Sequence, residues 1–113
     1  MTNSDGLVLV LSNWPDLERA RAAARTIVVE RLAACVNLVP AIESIYRWQG
    51  SVETASEVMM LAKAVSPLYP QLERRIKELH PYDVPEILAF NASDGLGAYV
   101  GWVQECCGKE IAR

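Results

Sequence analysis

The chain has one histidine, His80, and it stands in the run His80-Pro-Tyr-Asp-Val-Pro85. An imidazole can cap a helix, move a proton or bind a metal ion. At the end of a predicted helix, the negative dipole end favours its protonated form. A lone histidine in that place is usually a cap or a surface residue. Here Pro81 and Pro85 stiffen the loop, and rigid loops hold ligand contacts in place. Glu53 and Glu57 lie four apart on a predicted strand, hence on one face, and either can join His80 only through folding or at a contact between subunits. Three cysteines, Cys35, Cys106 and Cys107, complete the set of metal-ligating types. None is in a CxxC pair, and HxxH and HExxH patterns are absent. Cys106 and Cys107 are about 100° apart on a helix and cannot address one ion together. Cys107 falls on an apolar stripe, and Cys35 reads as a small buried hydrophobe.

Other chemistries find no foothold. There is no GxSxG nucleophile elbow, Walker A loop or GxGxxG turn. With 14 acids against 11 bases the net charge is −3, so nucleic acid is not an expected partner. Tyr46-Arg47-Trp48 is the nearest approach to an RNA-binding strand, without the glycines that such strands carry. Tyr46 and Trp48 share a sheet face, where packing is the plainer reading. The odd cysteine count, with two of them adjacent, points to a reducing, cytoplasmic setting. The apolar run Leu7–Leu11 is too short to cross a membrane.

These residues must be positioned by a single domain, 1–113, since a chain of 113 residues is of ordinary domain length. Residues 7–12 are a continuous apolar run that predicts a central strand. Asn13 is a candidate N-cap, and Leu17, Ala20, Ala24, Ile27, Val28 and Leu32 predict an amphipathic helix over 15–33. Residues 35–48 read as extended, broken at Pro40, which cannot donate to a sheet ladder. Gln49-Gly50-Ser51 is a hairpin turn, and 52–65 is the return strand. Residues 67–79 form a second helix, with Glu73–Lys77 and Arg74–Glu78 as ion pairs on its exposed face. Residues 86–91 are a fourth strand, and a last helix starts at Ser93-Asp94-Gly95 and ends at Gly108. The order β-α-β-β-α-β plus a C-terminal helix predicts an α+β, ferredoxin-like sandwich with one antiparallel sheet.

One length does not fit a small sphere. The return strand, Val52 to about Val65, would span about 46 Å at ~3.3 Å per residue. A compact domain of this size is roughly 34 Å across. The hairpin must bend, or its tip must reach a neighbouring subunit. The composition, 51% apolar, favours the second.

Taken in order, Glu30-Arg-Leu-Ala-Ala-Cys-Val-Asn37, Pro40, Ile45-Tyr-Arg-Trp-Gln-Gly50, Glu57, His80-Pro81-Tyr82 and Pro85-Glu86 resemble the CutA divalent-cation tolerance family over about residues 7–107. The resemblance implies a ferredoxin-like homotrimer in the cytoplasm, tied to tolerance of divalent metals and copper especially, with no catalytic activity. It implies His80 and Glu57 as metal contacts, with copper or another divalent cation as the ion. Some members carry a cysteine where this chain has Ser12, which weakens any thiol-based site. A second expectation is a trimer like the PII signalling proteins, binding a small molecule or a partner protein in clefts between subunits. That cleft would use Trp48, Pro81, Tyr82 and Glu86. An acylphosphatase shares the topology but needs an arginine in a glycine-rich loop after the first strand, where this chain has Ser12-Asn-Trp-Pro-Asp16.

Overall fold

The computed structural model describes residues 6–108. Four strands make one antiparallel sheet in the order β2-β3-β1-β4: β1 Leu7–Trp14, β2 Cys35–Trp48, β3 Ser51–Val65 and β4 Ile87–Asn91. Helices α1 (Leu17–Val29) and α2 (Tyr69–Leu79) pack on one face, and α3 (Gly97–Cys106) follows β4. This is the ferredoxin-like arrangement with its additional helix. No helix among the described residues is long and apolar enough to cross a membrane.

Alternation along the strands decides which side chains meet the helices. Val8, Val10, Ser12 and Trp14 from β1 and Val58, Met60, Ala62 and Ala64 from β3 are buried. The apolar members of this set close over Ala20, Ala23, Ile27, Leu72 and Ile76. Ser12 is the polar member, and its Oγ accepts the Trp14 indole N–H at 2.9 Å. The opposite phase, Leu9, Leu11, Met59 and Leu61, is only half-buried. Helix α3 covers one end of that second face, where Val100 and Val103 pack with Leu7. Leu88 and Phe90 on β4 remain about half exposed there.

Several boundaries differ from the sequence expectation. Strand β1 runs on to Trp14, so Asn13 is a strand residue and Asp16 is the N-cap of α1, accepting Arg19 N–H at 2.8 Å. Helix α1 ends at Val29 because Arg31 turns the chain with φ of 63°. The break in β2 lies just after Pro40: Ala41 has φ of 61°, and the register shifts between Val39 and Ile42. A 3₁₀ turn, Ser66–Leu68, takes the first residues assigned to the second helix, leaving Pro70 in the first turn of α2, where its missing N–H costs nothing. The described ion pairs of α2 join Arg75 to Glu78 and to Glu30 of α1, in place of the two pairs read from spacing. Helix α3 begins at Gly97, later than Ser93. Cys35 sits on the sheet face turned away from α1 and α2, half-exposed beside Asn37, and is not a core residue.

The hairpin keeps its full length. Gln49 and Gly50 both have positive φ, 48° and 85°, as a two-residue hairpin turn requires. The bulge bends β2 without folding the tip back. The long axis is 51 Å, and the radius of gyration is 15.1 Å against about 13 Å for a compact chain of this length.

Candidate functional site

The foot of the hairpin, the end of β1 and the loop after α2 converge on one cleft of about 870 Å³. Its lining includes Asn13, Ser44, Tyr46, Trp48, Glu57 and Tyr82. Asp83, Val84 and Glu86 complete the loop side, with Ile45 and Ala55 on the hairpin. Of the residues expected at a ligand cleft, Trp48, Tyr82 and Glu86 are on this wall, and Pro81 is not.

His80 organises the loop. It follows the last turn of α2 and is 7% exposed. Its Nε2 lies 2.6 Å from the carbonyl oxygen of Asn13, and its Nδ1 accepts the Tyr82 backbone N–H at 3.2 Å. A carbonyl only accepts, so Nε2 donates, and both ring nitrogens are engaged. The ring also packs at a tilt against Trp14, with centroids 4.3 Å apart, and against Tyr82, at 4.7 Å. Lys77 donates to the Asp83 carbonyl at 3.1 Å and fastens the same loop to α2.

Tyr82 then reaches Glu57. Its hydroxyl donates to Glu57 Oε2 at 3.4 Å, while Ser44 donates to Oε1 at 2.7 Å. His80 and Glu57 are thus linked through Tyr82, whose backbone N–H meets the one and whose hydroxyl meets the other. An ion at Nδ1 would have to displace the Tyr82 N–H. Among the described residues, no group of three His, Cys, Asp or Glu side chains is close enough to enclose a metal ion. Burial, reinforced by the Glu57 charge, holds the Tyr82 hydroxyl above its usual range, so it is a donor at neutral pH. Glu86 accepts from the Asn13 amide at 3.2 Å. The other end of that amide, Oδ1, is buried without a hydrogen-bond partner among the described residues.

Asn13, Ser44 and Asp83 were not singled out from sequence as site residues. Asn13 looked like a helix cap. Ser44 becomes a neighbour of Glu57 only through the register that follows the bulge. Asp83 carried a signal, since it sits between two prolines in the same stiff loop as His80.

The fold and site can be set beside known proteins. The family model described as CutA1 divalent ion tolerance protein matches residues 8–106. The divalent-cation tolerance protein CutA of Thermus thermophilus is 47% identical over 100 residues, covering 88% of this chain and 97% of that protein. Protein CutA of Mus musculus is 44% identical over 91 residues, covering 80% of this chain and 51% of that protein. The chain therefore spans nearly all of the bacterial relative and about half of the mouse one. Among solved structures, the Thermus thermophilus divalent cation tolerance protein superposes with a TM-score of 0.88 at 46% identity, covering 90% of this chain and 99% of that one. CutA from Xylella fastidiosa gives 0.90 at 38% identity, covering 92% and 100%.

Proposed function

The chain belongs to the CutA1 divalent ion tolerance family, and on that premise we propose that it binds a divalent cation weakly, in a cellular response to metal ions. The observation that carries this reading is the lining of the cleft. Glu57, Asp83 and Glu86 contribute carboxylates, and among the described residues no lysine or arginine lines the wall. Such a wall suits a partly hydrated ion held by one or two carboxylates, not a resident ion in a closed cage. Copper is the proposed ion, because the Irving–Williams order places Cu²⁺ above other first-row divalent ions at almost any oxygen or nitrogen site. Glu57 is the proposed direct ligand. His80 acts behind it, by fixing the loop that carries Tyr82.

The proposed assembly is a homotrimer in the cytoplasm, with no catalytic step. The exposed tip of the hairpin supports association, since Ile45 and Val52 are 68% and 67% exposed on a single chain. Three free thiols support a reducing compartment. A PII-like role at the same cleft is the second reading, favoured by a volume far beyond what one ion needs.

Calorimetric titration with Cu²⁺ tests the primary reading. The parent chain should bind, and Glu57→Gln should bind about tenfold more weakly, a difference near 1.4 kcal/mol. Copper affinity unchanged in a Glu57→Gln, Asp83→Asn, Glu86→Gln triple variant would remove the cleft from the function.

A further inference from the structure

We propose that the cleft is a receptor for a primary ammonium carried on an aromatic or apolar body. This rests on the reading that the cleft takes cations and names an organic class beside the metal ion. Three observations converge on it. The first is size: about 870 Å³ is the scale of a small-molecule pocket, where a bare ion would leave most of the wall untouched. The second is the wall. Trp48 and Tyr46 offer rings, and Val84 offers alkyl groups. Rings of this kind attract a cation over their faces and an aromatic body against them.

The third is the pattern of hydrogen-bonding capacity. Glu57 accepts from Ser44 and Tyr82, which holds its carboxylate in place at the wall and leaves lone pairs open on both oxygens. Glu86 is likewise held by Asn13. An ammonium with three N–H groups matches these carboxylates, whereas a quaternary ammonium brings no donor and a neutral alcohol brings one without charge. The apolar wall then holds the rest of the molecule. A naked metal ion satisfies the carboxylates and leaves the rings without a role.

Phenethylamine is the probe, and phenethyl alcohol, the same body with an uncharged head, is its control. Binding to the full-length chain is read by calorimetry and by the indole N–H signal of Trp48 in two-dimensional NMR, assigned with Trp48→Phe. The amine should bind at least tenfold more tightly than the alcohol and shift the Trp48 signal. Glu57→Gln, which keeps both hydroxyl partners, and Trp48→Ala, at an exposed position, should each weaken the amine about tenfold, with melting temperatures reported alongside. Equal binding of amine and alcohol, or amine binding indifferent to both substitutions, overturns the proposal. A separate Mn²⁺ titration, without amine, distinguishes the two readings. Metal binding with no amine binding rejects the organic cation alone. Amine binding with no metal binding supports it and rejects the metal reading. Failure of both rejects the cleft as a cation site.

Discussion

The inner and outer halves of strand β3 lie in different surroundings although they are one continuous strand. From Val58 to Ala64 every second side chain is buried against α1 and α2 or the sheet around them. From Ser51 to Thr54 every residue is exposed, and the partner strand opposite them carries Trp48 at 59% exposure. Both halves pair with β2, but only the inner half also pairs with β1 on its other edge. The second difference is covering. Small Ala62 and Ala64 let the helices approach the inner half, while none of the described helices covers Ser51 to Thr54. A two-stranded ribbon with no third layer is marginal by itself. The inner half is thus stabilised by its own chain, and the outer half is where the proposed homotrimer would add a covering.

The largest effect should come from the inner half. Met60 is fully buried in the main core. Met60→Ala should lower the unfolding free energy by about 2–5 kcal/mol, the usual cost of truncating a sealed core side chain. Urea denaturation measures it. A loss below about 1 kcal/mol would mean that the core under β3 is loosely packed, and the contrast with the tip would disappear.

The next effect belongs to the tip. Ile45 and Val52 lie on the same face of the ribbon, on neighbouring registers. If a second and third chain cover that face, each side chain contributes about 1.5–3 kcal/mol through burial in the assembly. The Ile45→Asp, Val52→Asp double variant should then fall from about three times 12.5 kDa to a single chain in light scattering. Its melting temperature should also fall, because the parent is stabilised by mass action. A parent chain already near 12.5 kDa would break the comparison at once. A double variant that keeps the parent's mass would move the contact elsewhere, with the half-exposed Leu88 and Phe90 of β4 as the next surface to change.

Much of this arrangement was legible in sequence, for identifiable reasons. The apolar run at 7–12 and the period of Leu17 to Leu32 announce a buried strand and an amphipathic helix, and Gln49-Gly50 announces the turn. What escaped was decided by backbone reversals or by distant partners. Arg31 and Ala41 adopt positive φ without being glycine, so nothing in their side chains marks the end of α1 or the bulge in β2. Asp16 wins the cap from Asn13 because β1 continues two residues beyond its apolar run. At the site, residue types pointed to His80 and Glu57, but not to the hydrogen bonds that tie one imidazole nitrogen to β1 and the other to the loop. Those depend on where β1 ends relative to α2, which is a tertiary fact.

The smallest effect concerns the two helices that seal the inner half. Arg75 of α2 makes a paired contact with Glu30 at the end of α1, at 2.9 and 3.0 Å. The guanidinium holds the Glu30 carboxyl below its ordinary value of 4.5. A carboxylate whose pKa is depressed by folding adds stability above its unfolded pKa and loses it as pH falls through the folded one. Both side chains are well exposed, so the contribution is small and screened by salt. Glu30→Gln should therefore unfold at slightly lower urea than the parent at pH 7. The gap should shrink as pH falls below 4.5 and through the lowered folded value, where the parent carboxyl takes up its proton, and it should narrow at pH 7 in 1 M salt. Because both partners belong to one chain, the gap should be the same at every protein concentration, unlike the effect at the tip. A gap that stays constant across the whole acid limb would show that the glutamate side chain acts there by packing, with the charge playing no part in joining α1 to α2.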